Sequence, residues 1–232
     1  GPRNSICELG SFPKITDIKI GFSRDGFHWD RPDRRAFIAA TRKDGDWDRG
    51  YVHTTTGVCL VVGDKLYFPF TAYSGIAPDG KHRGMYTGAS VGMAVLRRDG
   101  FASMDAKERA GTLTTRPVKF NGSRFFVNAA PVGGELRVEV LDAQGKVVPG
   151  FSREECVPVT DDHTLQAVAW KGGSDLAALR GKPVTFRFHL TKGSLYAFWV
   201  SPDVSGASHG YVAAGGPGYT GTVDTVGVAA LR

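Results

Sequence analysis

A chain of 232 residues is long enough for one large β domain or two smaller ones, each with its own core. Thirty-one glycines and twelve prolines, with almost no sustained helix-period pattern, point to many short strands joined by tight turns, and so to an all-β fold. The net charge of +6 permits an acidic partner, but Lys and Arg are scattered without a run of five like charges or a recognised motif, which argues against nucleic acid.

No stretch approaches the ~18 apolar residues of a membrane span, so no membrane partner is expected. No charged-then-apolar leader opens the chain. Gly1-Pro2 looks like the scar of tag removal, which would place the natural N-terminus and any export signal upstream and leaves a secreted or periplasmic location open. The three cysteines, Cys7, Cys59 and Cys156, have no metal-like spacing, and Cys59 and Cys156 read as small buried hydrophobes in strands.

In chain order, residues 1–16 look irregular. Asp17 to Phe22, DIKIGF, alternates and predicts a strand with Ile18, Ile20 and Phe22 on one face. Asp25-Gly26 then turns the chain into a return strand opened by Trp29. Further on, Trp47, Asp48, Tyr51, His53 and three threonines precede a predicted hairpin, Val58 to Val62 and Leu66 to Tyr73, joined by Gly63-Asp64-Lys65. Alternation sets Leu66, Phe68, Phe70 and Ala72 on one face and Tyr67, Pro69, Thr71 and Tyr73 on the other. Pro69 lacks an amide donor and requires a sheet edge or bulge.

Arg98-Asp99-Gly100-Phe101, after the apolar Ala94 to Leu96, repeats the words of Arg24 to Phe27 at a distance of 74 residues. An internal repeat with several strands reads as β-propeller blades, and two unrelated hairpins sharing a common turn are the alternative. From Ala106 the texture changes to evenly spaced, cleanly alternating strands. Leu136, Val138 and Val140 stand against Arg137 and Glu139, and Val184, Phe186, Phe188 and Leu190 against Thr185, Arg187 and His189. Turns are expected at Asn121-Gly122, Gln144-Gly145 and Lys192-Gly193, the last joining Phe188–Leu190 to Leu195–Val200, with one helical turn capped by Ser174. Together these predict the last blades of a propeller over residues 1–105, a β-sandwich over 106–202 and a glycine-rich tail, 203–232, packed back on the body across the other domain.

Glycoside hydrolysis needs two carboxylates roughly 5 to 10 Å apart. The candidates are Asp46, Asp48, Asp79, Glu154 and Glu155, none of which stands in a motif that names its role. Trp47, Tyr51 and Tyr73 offer flat surfaces with polar edges that suit sugar rings, and Trp29, Trp170 and Trp199 read as core or sheet-face residues. His53 reads either as a hydroxyl-binding or proton-moving group or as a structural residue, and Arg83 either as a bidentate partner for an acidic sugar or as a plain loop cation. The candidate substrate-binding set is therefore Trp47, Asp48, His53, Tyr73 and Arg83, with the catalytic residues unassigned. His28, His82, His163, His189 and His209 lack the spacing of a metal triad, and neither metal nor cofactor is expected. A glycan-binding sandwich face built on Tyr196, Phe198 and the exposed side of the Phe188 strand is a separate possibility, as is a sandwich that only buttresses its neighbour.

The phrases IGFSRDGFHW, WDRGYVHTTTGVCLVVGDKLYFPFTAYSG and MAVLRRDGFASMDA, followed by TLTTRPVKFNG and GELRVEVLDAQGKVVPGF, resemble the C-terminal part of bacterial proteins similar to glycoside hydrolase families 32 and 43. The resemblance implies a five-bladed propeller followed by a β-sandwich and a carbohydrate substrate. It also implies that the acidic catalytic residues belong to blades with no counterpart here, so that this chain is a fragment whose partner is the missing propeller portion. Glu155-Cys156 resembles the family's Glu-Cys pair only superficially, because it falls in the sandwich half.

Overall fold

Short apolar runs between glycine turns yield thirteen strands among the described residues, arranged as several antiparallel sheets, none of them closed. The computed structural model describes residues 14–55, 57 and 59–232. The expectations for residues 1–13, Cys7 among them, and for Thr56 and Val58 lie outside these. The chain divides into two units, Gly1–Cys59 with Tyr67–Val95, and Leu60–Leu66 with Leu96–Arg232.

In the first unit, β1 (Phe22–Ser23) pairs with β2 (Trp29–Asp30), β3 (Tyr51–Thr54) pairs with β5 (Lys65–Tyr73), and β6 (Ala89–Arg97) pairs with β5. Val52 faces Ala72 across the β3–β5 ladder, and these two join Phe70 and Ala40 in a small core flanked by Ile15, Ile18, Ile38 and Ala94. Burying such side chains contributes about 1.5–3 kcal/mol for each of the larger ones. Gly92 on β6 completes the layer. A Cβ there would lie 2.5 Å from the Trp47 ring and 2.7 Å from Phe70, so only glycine lets these two rings settle on β6. Pro69 falls where β3 ends: its carbonyl accepts the Thr55 amide at 3.3 Å, just before the Phe70–Tyr73 stretch that β3 pairs.

The predicted strand over Asp17 to Phe22 is not regular. Ile18 exchanges backbone hydrogen bonds with Ile38 as an isolated bridge, and continuous pairing starts only at Phe22, which is 39% exposed. The two Arg-Asp-Gly-Phe words also differ in geometry. At the first, Gly26 takes a positive φ of 78° and the Asp25 carboxylate accepts the amides of Phe27 and His28, closing a hairpin. At the second, Asp99 takes φ 53°, and the next strand, β7 (Met104–Ala106), pairs with β13 (Gly193–Ser201) instead of returning along β6. A shared turn word therefore does not make a shared supersecondary unit.

In the second unit, β10 (Glu135–Leu141), β12 (Thr185–Thr191) and β8 (Gly111–Thr114) form one sheet in the order β10-β12-β8. A second sheet runs β11 (His163–Ala167), β9 (Arg124–Ala130), β13, β7. Both sheets feed one core that includes Phe125, Val127 and Leu195 from the second, with Leu136, Val138, Phe186 and Phe188 from the first. The alternation expected for Val184 to Leu190 and for Leu136 to Val140 is present, except that the outward Glu139 is itself buried and accepts Arg187 Nη1 and His189 Nε2, both at 3.0 Å. Lys192-Gly193 does not close a hairpin. It carries the chain from one sheet to the other, with Lys192 at φ 49° and Gly193 so close to Ala130 that a Cβ would sit 2.4 Å from its carbonyl. Ser174 accepts the Trp170 amide and caps no helix, while Asp175 accepts Ala177 at the short 3-10 turn Ala177–Leu179. Cys156 is buried in the core as expected, and burial pushes its thiol pKa up. Cys59 is half-buried.

The glycine-rich tail belongs to this second unit along with the hairpin tip Leu60–Leu66. That tip comprises β4 (Leu60–Val62), a turn through Gly63 at φ 57° and the start of β5. The Val61 amide donates to Gly215 at 2.8 Å. Asp224 is fully buried and accepts from Arg98 Nη2, from the Ser208 amide and hydroxyl, and from the amides of Val226 and Gly227. Tyr211 in this tail is exposed.

Burial alone would raise the Asp224 pKa, but the amides of Gly227, Ser208 and Val226 and the charge of Arg98 outweigh it and hold the pKa below the usual carboxylate range. Asp224→Ala, which leaves buried Arg98 only the more distant Asp99 carboxylate at 3.8 Å, is expected to cost about 3 kcal/mol in urea unfolding. A depressed folded-state pKa contributes stability that is present above the unfolded carboxylate value and lost as pH falls through the folded one. Asp224→Asn should accordingly flatten the acid limb of the stability profile, and an unchanged limb would contradict this role.

Candidate functional site

The β3–β5 ladder that buries Val52, Phe70 and Ala72 necessarily turns Tyr51, His53, Thr71 and Tyr73 to the opposite face. There the His53 and Tyr73 rings stack with centroids 5.8 Å apart, and Tyr51 meets both edge-on at 5.6 and 5.9 Å. Tyr86, from the loop between β5 and β6, closes the group at 5.3 Å from Tyr51 and 5.7 Å from Tyr73 and is itself 62% exposed. Four rings thus gather at the surface of one unit, three from the pleat of two strands and one from a glycine-rich loop.

Polar groups border these rings. His53 Nδ1 lies 2.9 Å from the Thr54 carbonyl, and since a carbonyl only accepts, this bond places the proton on Nδ1 and leaves Nε2 of the neutral ring as an acceptor. Thr55 and Thr71 hydroxyls meet at 3.0 Å, with Thr71 directly across from His53. The Tyr86 pKa is raised, chiefly by its hydrogen bond with Tyr51. On the same side of the sheet β6 exposes Val91, Met93 and Val95, because Gly92 and Ala94 face the core. The resulting surface combines flat rings, phenol and threonine hydroxyls, an imidazole acceptor and an apolar margin. It can stack a ring-shaped ligand and exchange hydrogen bonds with its hydroxyls.

Of the sequence candidates, His53 and Tyr73 come together. Trp47 does not join them: it packs on Phe70 at 5.6 Å and over Gly92, on the core face of the sheet, and remains 41% exposed. Asp48 is half-buried and its backbone carbonyl accepts the Thr41 amide. Arg83 is exposed and bridges Ile76 through its backbone in the loop that carries Tyr86. Tyr86 was missed because nothing in its loop sequence has a period. Among the candidate carboxylates, Asp79 is occupied by the amides of Lys81 and His82 and by the His82 ring, and Glu155 accepts the Ser152 amide, so both act as turn formers. Asp46 is half-buried and Glu154 exposed.

In the second unit, Asp64, Arg97, Asp162 and His163 line a cleft of about 280 Å³. Arg97 there is already engaged by Asp162, by Asn128 Oδ1 at 2.6 Å and by the Tyr196 ring at 4.7 Å. Tyr196 is half-buried with Arg97 over its ring, and Phe198, also half-buried, packs against the core. No group of three or more His, Cys, Asp or Glu with metal-binding geometry occurs among the described residues. Comparison with protein-family models, with curated protein sequences and with solved structures finds no match to this chain.

Removing the Tyr51 hydroxyl should return the Tyr86 phenol toward its ordinary value. In an NMR titration that follows the assigned Tyr86 ring, Tyr51→Phe is expected to shift the Tyr86 transition to lower pH. An unchanged transition would show that the two phenols are not coupled.

Proposed function

We propose that the chain is the C-terminal portion of a carbohydrate-active protein similar to glycoside hydrolases, with its saccharide contact on the face formed by Tyr51, His53, Tyr73 and Tyr86. In this reading the first unit is part of a propeller, the second is a β-sandwich, and the carboxylates that hydrolyse the glycosidic bond are supplied from outside this chain. The observation that carries it is the stacked His53–Tyr73 pair enclosed by two further tyrosines at the surface. Saccharides present an apolar C–H face and a rim of hydroxyls, and this surface offers the counterpart to each: flat rings for the first, and the His53 acceptor, Thr71 and the phenols for the second. Trp47 serves this reading as the support beneath the sheet, and Arg83 as a residue of the loop that presents Tyr86.

A non-catalytic carbohydrate-binding role is the alternative, and the same four rings would perform it without any carboxylate pair. Isothermal titration against a panel of neutral oligosaccharides tests binding, which both roles share. Tyr73→Ala and His53→Ala are each expected to weaken the best ligand about tenfold, the loss of one stacking surface or of one hydrogen bond to a ligand hydroxyl. Equal affinity in wild type and both variants would remove the saccharide from this face. Measured in the longer protein, a loss of kcat/KM in both variants would support the hydrolytic role, and unchanged turnover with weakened binding the non-catalytic one.

A further inference from the structure

A second surface, on the β1–β2 hairpin, has features that no packing role explains. Trp29, expected in a core or on a sheet face, is 68% exposed, yet its indole N–H donates to the Gly26 carbonyl at 3.1 Å, which fixes the ring in place. Beside it opens a cleft of about 540 Å³ whose charged lining is Lys19, Asp30, Arg31 and Arg34, three cations against one carboxylate. Lys19 Nζ donates to the Arg34 carbonyl at 2.9 Å and ties the cleft's two sides together. The neighbouring Arg35 is committed to Asp33, its Nε donating to Oδ1 at 3.1 Å and its Nη2 to Oδ2 at 2.6 Å. The guanidinium groups of Arg31 and Arg34, by contrast, have no hydrogen-bond or ion-pair partner among the described residues.

A fixed, solvent-facing indole next to two uncommitted guanidinium groups offers an apolar plate and a pair of planar donor forks in one place. We propose that this cleft binds an anionic saccharide, with a sugar ring against Trp29 and its carboxylate or sulfate held by Arg31 and Arg34. Asp30 then accepts a hydroxyl of the same ligand. The chemistry favours a saccharide over single-stranded nucleic acid, which is held by successive stacking rings along a continuous cationic groove. This cleft is lined by one ring and by cations confined to a short patch, which suits one charged sugar rather than a run of stacked bases. The site shares no residue with the Tyr51–Tyr86 ring group and stands or falls separately from it.

The test is calorimetric titration with a sulfated heparin-derived hexasaccharide, an oligogalacturonate hexamer, neutral cellohexaose and a single-stranded hexanucleotide, each at low salt and at about 0.3 M NaCl, where exposed charge pairs are screened. At least one anionic saccharide should bind ten times or more tighter than cellohexaose, and which of the two binds separates sulfate from carboxylate as the recognised group. That affinity should fall about tenfold or more in Arg31→Ala/Arg34→Ala and in Trp29→Ala, recover partly in Arg31→Lys/Arg34→Lys, and weaken at high salt. His53→Ala/Tyr73→Ala should leave it unchanged. The proposal is overturned if neither anionic saccharide binds at millimolar concentration, if the arginine variant binds like wild type, or if the hexanucleotide binds tighter than both saccharides. These side chains are exposed, so their substitution leaves the fold intact, and retained circular dichroism is the control.

Discussion

Much of the first unit follows from one constraint, the two-residue pleat of β5 paired to β3. Because Val52, Phe70 and Ala72 must be buried together, Tyr51, His53 and Tyr73 have no choice but the other face, at the spacing where cross-strand rings touch. A slip of one residue would exchange the two sets, exposing the core and burying the imidazole and phenols. The register that holds the core thus also assembles the ring face. Gly92 secures it from below, since any side chain at that position would displace Trp47 and Phe70.

The second unit is organised by a different balance. Its two sheets share an aromatic core, but the segments around that core are held by buried polar groups. Asn128 is fully buried, donating to the Arg98 carbonyl at 2.6 Å while accepting from Arg97. Arg98 in turn reaches Asp224, on which the glycine-rich tail is gathered. Glycine-rich chain has little apolar surface to bury and a large conformational entropy to lose, so a fully satisfied carboxylate is an effective way to hold it.

What could be read from the sequence follows the range of the forces involved. The all-β class, the alternation of β10 and β12 and the β4–β5 hairpin depend on neighbouring residues and were legible. The pairing of β7 with β13 and the crossing at Lys192-Gly193 were not, because a turn word specifies a local reversal and says nothing about which sheet receives the next strand. The Arg-Asp-Gly-Phe repeat shows the same limit: identical words adopt φ values suited to different destinations. In the ring group, His53 and Tyr73 were visible as strand residues of one pleat, whereas Tyr86 arrives through a loop and Trp47 lies on the reverse face. Trp29 lies on a strand, one of the two places expected for it, but its ring stays exposed because β1–β2 is only two residues deep on each side.

The β3–β5 pleat thus places three rings, the His53 imidazole among them, and a hydroxyl pair on one face, where Tyr86 joins them from its loop, and saccharide recognition is the function proposed for that face. The most direct measurement is an NMR titration with neutral oligosaccharides that follows the ring resonances of assigned aromatic residues. The account predicts that Tyr51, His53, Tyr73 and Tyr86 shift together and saturate with a single affinity, while the buried Trp170 does not move. Ring signals of these four that stay unperturbed at millimolar saccharide, or perturbations confined to residues of the second unit, would contradict it.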